Sequence, residues 1–285
     1  SLFQRRYQKP IEDANDLEAL GRLKKRLHPF IMRRQKEDVA PELPPKTEID
    51  QYCEMTPSQR KIYEQILNSS RKTLFKEVEQ KGIEKSHLSI LTALLRLRQV
   101  CCHPHLVSKA DATSEEISGK FELFQQLLQE IISEGHRVVV FSQFVEMLKL
   151  LKGWLESQSI RFEYLDGRTR KRQDHIKNFQ SDSSIPVFLI SLKAGGTGLN
   201  LSEADYVIHY DPWWNPAVQD QATDRVHRIG QKQHVFAYKL ITKDSVEEKI
   251  LSLQGRKRDL FKGVLSADSA FGKKLSYEDL EYLFS

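Results

Sequence analysis

The stretch that decides the fold runs from Val187 to Gln231 and reads VFLISLKAGGTGLNLSEADYVIHYDPWWNPAVQDQATDRVHRIGQ. Its first residues, Val187 to Ile190, form a continuous apolar run, as expected of a strand buried on both faces of a parallel sheet. A glycine-rich turn follows at Ala194, Gly195, Gly196, Thr197 and Gly198. A second apolar run (Tyr206 to His209), a tryptophan pair and a helix ending on two arginines complete it. In this order the pieces suit phosphate groups. Glycines let backbone amides approach an anion closely, and arginines supply the opposing charge.

Outward from this stretch, helix and strand alternate. A helix over Lys120–Glu134 carries Phe121, Phe124, Leu127, Leu128 and Ile131 on one face, and Arg137–Phe141 is an apolar strand. A helix (Phe144–Ser157), a strand (Phe162–Leu165) and a helix (Arg170–Gln180) lead into the quoted stretch, and Val235–Ile241 supplies a further strand. Strands joined by helices of this length predict an α/β fold with a doubly wound, mostly parallel sheet. Ser245 and Glu248 read as a capping box opening a helix to Phe261, and Ser276–Phe284 as a last capped helix. Upstream lie two long helices forming an inserted or adjacent helical subdomain. The first starts at Thr56-Pro57 and faces Ile62, Ile66, Phe75 and Val78 inward. The second, Ser86–Cys101, offers Leu88, Leu91, Leu94, Leu95 and Leu97 at helical spacing. Lys46–Tyr52 alternates like an edge strand, and the polar residues 108–117 read as a linker.

With 285 residues and 29% charged against 39% hydrophobic residues, the composition is that of a globular protein. The net charge of +5 makes an acidic polymer a plausible partner. No apolar run reaches membrane-spanning length, so no membrane partner is expected. Three cysteines, two of them adjacent, make no disulfide framework and point to a reducing compartment. Cys101, Cys102, His103 and His105 lack a second ligand pair, so buried cysteines at a helix end are the better reading than a metal site. The run Arg22–Lys36 holds seven Lys or Arg and no acid. It is either a solvated helix face or a strip beside nucleic acid. The absence of an initiator Met at Ser1 suggests an excised fragment.

In a doubly wound sheet ligands bind at the carboxyl ends of the strands. That rim gathers Ser142, Gln143, Asp166, Gly167, Arg168, Thr169, Lys193 to Asn200, and Asp211 to Asn215. Gly167-Arg168-Thr169 opens the next helix, so its amides and hydroxyl could hold a second phosphate. Gln221, Arg225 and Arg228 are spaced four and then three, which puts them on one helix face. They suit charge stabilisation in phosphoryl transfer, although an ion-pair helix would look the same. There is no phosphate-loop motif G-x-x-x-x-G-K-[ST] and no Asp-Glu pair for magnesium. The chain can offer arginines to nucleotide hydrolysis but not the phosphate cradle.

Several motifs resemble those of Swi/Snf-type ATPases of helicase superfamily two. DQATDRVHRIGQ (Asp220–Gln231) resembles their sixth motif, KAGGTGLNL (Lys193–Leu201) the fifth and VVFSQF (Val139–Phe144) the fourth. LDGRT (Leu165–Thr169) is similar to the segment after it, and DPWWNP (Asp211–Pro216) to the family's tryptophan segment. HPFIMRR (His28–Arg34) and LPPK (Leu43–Lys46) resemble its inter-lobe protrusion. The resemblance covers nearly the whole chain in the family's order. It implies a RecA-like C-terminal helicase lobe over 118–243. Ahead of it, 1–117 would form a basic inter-lobe segment and protrusion, and 244–285 brace helices behind it.

By the same resemblance Gln221, Arg225 and Arg228 would face ATP, with Arg225 and Arg228 catalytic. ATP would be shared with an absent N-terminal RecA-like lobe that also holds Mg2+. Ser142, Gln143, Gly167, Arg168, Gly196 and Asn200 would line the phosphate path of double-stranded DNA. Trp214 would touch or support that path, with Thr169 and Lys193 on the same rim. The implied protein is a monomeric translocase or remodeller, inactive as an ATPase from this fragment alone. Its expected place is the cytoplasm with the nucleoid, or alternatively the nucleus. Two rivals remain: a stand-alone DNA-binding or protein-docking module using Arg22–Lys36, and an RNA helicase lobe, against which Asp211–Pro216 argues.

Overall fold

The computed structural model describes the chain except residues 1, 15, 31–39, 41, 108–117, 196–197 and 262–275, and leaves the side chains of 12–14, 28, 195 and 256–261 undescribed. Two compact units result, Ser1–Leu43 and Pro44–Ser285. In the first, a π-helical turn (Gln4–Gln8) precedes helices α1 (Lys9–Ala14) and α2 (Leu17–Leu27). Asp16 caps α2, its carboxylate accepting from the amides of Glu18 and Ala19 at 2.9 Å each. Arg22, Lys24, Lys25 and Arg26 are exposed along α2, so this half of the basic run is a solvated helix face. Residues 31–36 of the run lie outside the described residues.

The second unit is built on β1 (Lys46–Cys53), followed by the long helices α3 (Pro57–Lys81) and α4 (Ile83–Cys102). Next come α5 (Gly119–Ser133), β2 (Val138–Ser142), α6 (Val145–Ser157), β3 (Phe162–Leu165) and α7 (Arg172–Ser181). Then follow β4 (Val187–Ser191), the single turn α8 (Leu192–Gly195), β5 (Tyr206–His209) and α9 (Pro216–Thr223). The unit closes with β6 (Val235–Thr242), α10 (Val246–Phe261) and α11 (Tyr277–Leu283).

The six strands form one sheet in the order β1-β6-β5-β2-β4-β3, and each pairing is parallel. β2 and β4 are buried along their whole length, as their unbroken apolar sequences require. On one face Phe141, Phe188 and Ile190 pack with Ile176 and Phe179 of α7 and with Ala222 and Val226. On the other, Val138, Val140 and Leu189 pack under Phe124 and Leu128 of α5 and Leu148 and Leu151 of α6. Helices thus cover both faces, as a doubly wound sheet demands. Edge strand β1 is salted with charge. Lys46 and Lys239 both bond Glu48, at 2.7 and 2.8 Å, which discourages pairing with another edge.

α3 and α4 form an antiparallel pair in a separate core shared with α10 and α11: Tyr63, Leu74, Ile90, Leu94 and Leu97 pack with Val246, Ile250, Leu280 and Leu283. α3 opens on a Thr56 capping box with Gln59, followed by Pro57. The expected face of α4 is partly wrong. Leu88 and Leu95 are 77% and 42% exposed, while Ile90, Ala93, Leu97 and Val100 are buried with Leu94. The leucine spacing fits either stripe, and the partner core selects the one containing Ile90. Cys101 and Cys102 lie fully buried at the end of α4, all three cysteines are free thiols, and the described residues hold no metal-binding cluster. Among the described residues no helix is long and apolar enough to cross a membrane.

A buried ion pair joins α5 to α10. Lys120 Nζ lies 2.5 Å from Glu247 Oε2, both side chains fully buried, and also donates to the Leu240 carbonyl at 3.0 Å. Glu247 accepts in turn from the Thr242 amide at 3.0 Å. Removing one charge strands the other in the core. Lys120→Met alone should destabilise the chain by about 3–5 kcal/mol, whereas Lys120→Met with Glu247→Leu should recover most of that loss. Denaturant unfolding of both variants checks this; equal losses would show that the stranded charge is not what costs stability.

Candidate nucleic-acid and nucleotide surfaces

Because all six strands point the same way, their carboxyl ends share one rim. Across β5, β2, β4 and β3 that rim carries Asp211–Trp214, Ser142–Gln143, Lys193 and Asp166–Thr169.

Asp211 organises one end of it. Its fully buried carboxylate accepts from the Ser142 hydroxyl and from the Gln143 amide, 3.2 Å from each oxygen. The Arg98 guanidinium of α4 lies 3.6 Å away, with exposures of 1% and 0% for the pair. Burial pushes the Asp211 carboxyl up, while Arg98 and the Ser142 hydroxyl pull it back. Arg98 also donates to the Pro212 carbonyl and lies 4.8 Å from the Trp214 ring centre, a cation–π contact. Gln254 of α10 holds the same segment, donating to the Trp213 carbonyl at 2.9 Å and to that of Trp214. Ser142 is fully buried, so its hydroxyl serves Asp211 rather than facing outward. Gln143 and Trp214 remain half-buried.

At the β3 end, Asp166 folds the loop back on itself. Its carboxylate accepts from the Arg168 amide at 2.8 Å and the Thr169 hydroxyl at 3.1 Å. The Asp166 amide donates to Thr169 Oγ1 at 2.9 Å. Burial acts to raise the Asp166 carboxyl, but the Arg168 amide and the Tyr164 and Thr169 hydroxyls outweigh it and hold the group low. The expected role of this loop therefore needs correction. It does not open the next helix, which begins at Arg172 behind Lys171 at φ 54°. The Arg168 amide and Thr169 hydroxyl are engaged by Asp166, leaving exposed Gly167 and the exposed Arg168 side chain outermost.

Between these ends the glycine stretch begins with α8, whose Ala194 amide donates to Ser191 Oγ at 3.3 Å. Lys193 and Asn200 are exposed, the Asn200 carbonyl accepting from Gln180 at 3.0 Å. Gly198 adopts φ +51°, which a side chain would strain. Gly196 lies outside the described residues.

The arginines sit on a second surface. α9 stops at Thr223, and the following turns carry Arg225 and Arg228. The expectation that Gln221, Arg225 and Arg228 share one helix face is thus corrected: helical spacing does not extend past Thr223. These turns instead tie into the loop leaving the glycine stretch. The Leu201 amide donates to the Arg225 carbonyl at 3.0 Å, and Arg228 Nη1 donates to the Leu199 carbonyl at 3.1 Å. Gln231 ties the same loop through the carbonyls of Ser202 and Ala204, at 3.1 and 2.8 Å. Gln221 is exposed, and Arg225 and Arg228 are half-buried. Beneath them, His209 Nε2 lies 2.8 Å from Thr223 Oγ1.

The rim residues and the arginines are therefore adjacent surfaces, joined by residues 199–204 rather than merged in one pocket. Three organisers were not read from sequence: Arg98, Asp211 as a buried hub, and Gln254. Asp211 lay within a noted motif, but nothing local marks Arg98 or Gln254, whose partners lie 114 and 41 residues away.

With this geometry established, comparison with known proteins decides the family. The profile of the helicase conserved C-terminal domain matches residues 119–230, and that of the SNF2-related domain residues 1–106. The C-terminal domain of the Sulfolobus solfataricus SWI2/SNF2 ATPase superposes with TM-score 0.68 at 34% identity, covering 84% of this chain and 97% of that one. The chain belongs to the SWI2/SNF2 family.

The doubly wound sheet is accordingly the RecA-like fold of SWI2/SNF2 ATPase cores. The Sulfolobus ATPase core in complex with double-stranded DNA matches with TM-score 0.71 at 36% identity, over 99% of this chain and 59% of that one. The uncharacterized ATP-dependent helicase MG018 of Mycoplasma genitalium is 38% identical over 275 residues, 96% of this chain and 26% of its own length. The chain spans about a quarter to a third of the first curated relatives it matches.

His209 gives a test of the packing under the arginine turns. Burial, with Lys239 adding to it, depresses the imidazole from its ordinary 6.5 to about 3, so it is neutral in the folded chain. The unfolded chain binds the extra proton first, so stability should fall as pH drops from about 6.5 toward about 3. His209→Gln should flatten that slope, measured by denaturant unfolding across this range; an unchanged slope would show that His209 is not held neutral by burial.

Proposed function

We propose that this chain is the C-terminal motor lobe of an ATP-dependent double-stranded DNA translocase or remodeller. The observation that carries the proposal is the bonding of both arginine turns to residues 199–201, the loop leaving the glycine stretch on the rim. A lobe that converts nucleotide state into movement on DNA needs such a link between its two ligand surfaces.

In this reading Gln221, Arg225 and Arg228 face ATP held by a first RecA-like lobe, which also supplies the phosphate cradle and Mg2+. Arg225 and Arg228 stabilise charge that develops on the transferring phosphoryl group, as arginine fingers do. The absence of any phosphate-loop sequence supports a half-site and an inactive isolated chain. Along the rim, Gln143, Gly167, Arg168, Lys193, Gly196 and Asn200 follow one DNA strand's phosphates, with Thr169 and Ser142 set behind them and Trp214 at the end. Contacts of this kind hold backbone and carry no base sequence, so binding is salt-sensitive. Residues 1–117 serve as inter-lobe segment and protrusion apart from β1, which is a strand of the motor sheet; 118–243 serve as the motor lobe and 244–285 as brace. The packing of α10 and α11 against α3 and α4 supports a brace that reports on the protrusion. The working species is a monomer acting where DNA is, at a nucleoid or in a nucleus.

Joined to its first lobe, the chain should give an ATPase stimulated by duplex DNA in preference to RNA. Arg225→Ala or Arg228→Ala should lower turnover by about 10³-fold or more. Turnover unaffected by both substitutions would remove the arginines from the reaction, and equal stimulation by RNA would favour the RNA-helicase reading.

A further inference from the structure

The rim contains a polar centre too deep to meet DNA directly. Arg98 is 1% exposed and Asp211 0%, yet they touch everything at the β5–β2 end of the rim. Arg98 comes from α4, outside the sheet, and crosses to the Asp211 carboxylate, the Pro212 carbonyl and the Trp214 ring. Asp211 in turn fixes Ser142 and the Gln143 amide. Two donors at this centre, Arg98 Nη1 and Gln143 Nε2, are buried with no acceptor among the described residues. Buried donors left unmet are costly. Gln143 is a half-buried residue of the rim, so one of these unmet donors belongs to the rim itself.

We propose that Arg98 is a positioning residue for the DNA-facing rim, setting Gln143 through Asp211 and Trp214 by direct contact at the spacing a strand's phosphates require. The proposal rests on reading the rim as a DNA path. Arg98 supplies what no rim residue can: a planar group that meets a carboxylate, a carbonyl and an indole at once. Lysine in its place keeps the buried charge but loses that shared geometry. The same bonds make the helical pair a support of the rim, so its position is felt where DNA binds.

The test uses the full-length protein, a fluorescent DNA duplex, and titrations that read both affinity and the fraction of protein able to bind. Arg98→Lys should raise Kd about tenfold, with the binding-competent fraction unchanged. Arg98→Met adds a larger loss, with part of it in that fraction, because Asp211 is then unpaired. Arg168→Ala, altering an exposed rim cation directly, is the reference and should also weaken binding. A purely structural role for Arg98 would lower the competent fraction while leaving the Kd of the competent molecules as it was. That result, together with weakened binding by Arg168→Ala, overturns the positioning role and leaves the rim reading standing. Unchanged binding by Arg168→Ala overturns the rim reading, and the positioning role falls with it.

Discussion

A carboxylate buried to the last square ångström must find its hydration shell's replacement inside the protein, and Asp211 does so at the point where sheet, helical pair and C-terminal helix meet. Its acceptors are filled by Ser142 at the end of β2 and Gln143 just after it, and its charge is opposed by Arg98 from α4. Ion pairs of this kind add little net stability, since desolvation offsets attraction, but removal of one partner is expensive. The effect is to make one arrangement of three elements much better than its neighbours. Gln254 of α10 strengthens that choice by holding the Trp213 and Trp214 carbonyls, and the Lys120–Glu247 pair anchors the first turn of the same helix.

This arrangement divides labour between two surfaces. The rim is a row of loop ends presented by parallel strands, and among the described residues its exposed groups include Arg168, Lys193, Asn200, Gly167 and Gly198. The arginine turns lie where α9 has already stopped, and the Arg225 carbonyl and the Arg228 guanidinium are both bonded to residues 199–201. A shift of that loop must be felt at Arg225 and Arg228, because bonds from both would have to break or follow. On the proposed reading, coupling runs through two hydrogen bonds and a shared loop, with no long pathway through the core.

The sheet was readable from sequence because burial on both faces leaves no freedom: VVVFS and VFLIS can be little other than central parallel strands. The element order and most boundaries followed from that. What failed did so for definable reasons. Helical spacing from Gln221 to Arg228 was real in the sequence, but the chain tightens into turns after Thr223, so the spacing had no helix to act on. The leucines of α4 offered two equivalent stripes, and only the core formed with α10 and α11 chose between them. Gly167-Arg168-Thr169 resembled a helix start until Asp166 claimed its amide and hydroxyl. Arg98 was illegible for a deeper reason. Nothing in LLRLRQV separates it from Arg96, which is exposed; its role is set by a residue 113 positions further along, 211 less 98. Glycine turn residues 196–197 lie outside the described residues.

The central claim is that the DNA-facing rim and the arginine turns move as one through residues 199–204. Hydrogen exchange of the full-length protein with and without duplex DNA tests it most directly. The Leu201 amide, which is bonded to the Arg225 carbonyl, is the reporter. The account predicts that DNA slows exchange at residues 142–143 and 166–169 and, together with them, at 199–204 and 225–231. Protection confined to the rim, with 199–204 and 225–231 exchanging as before, would contradict it.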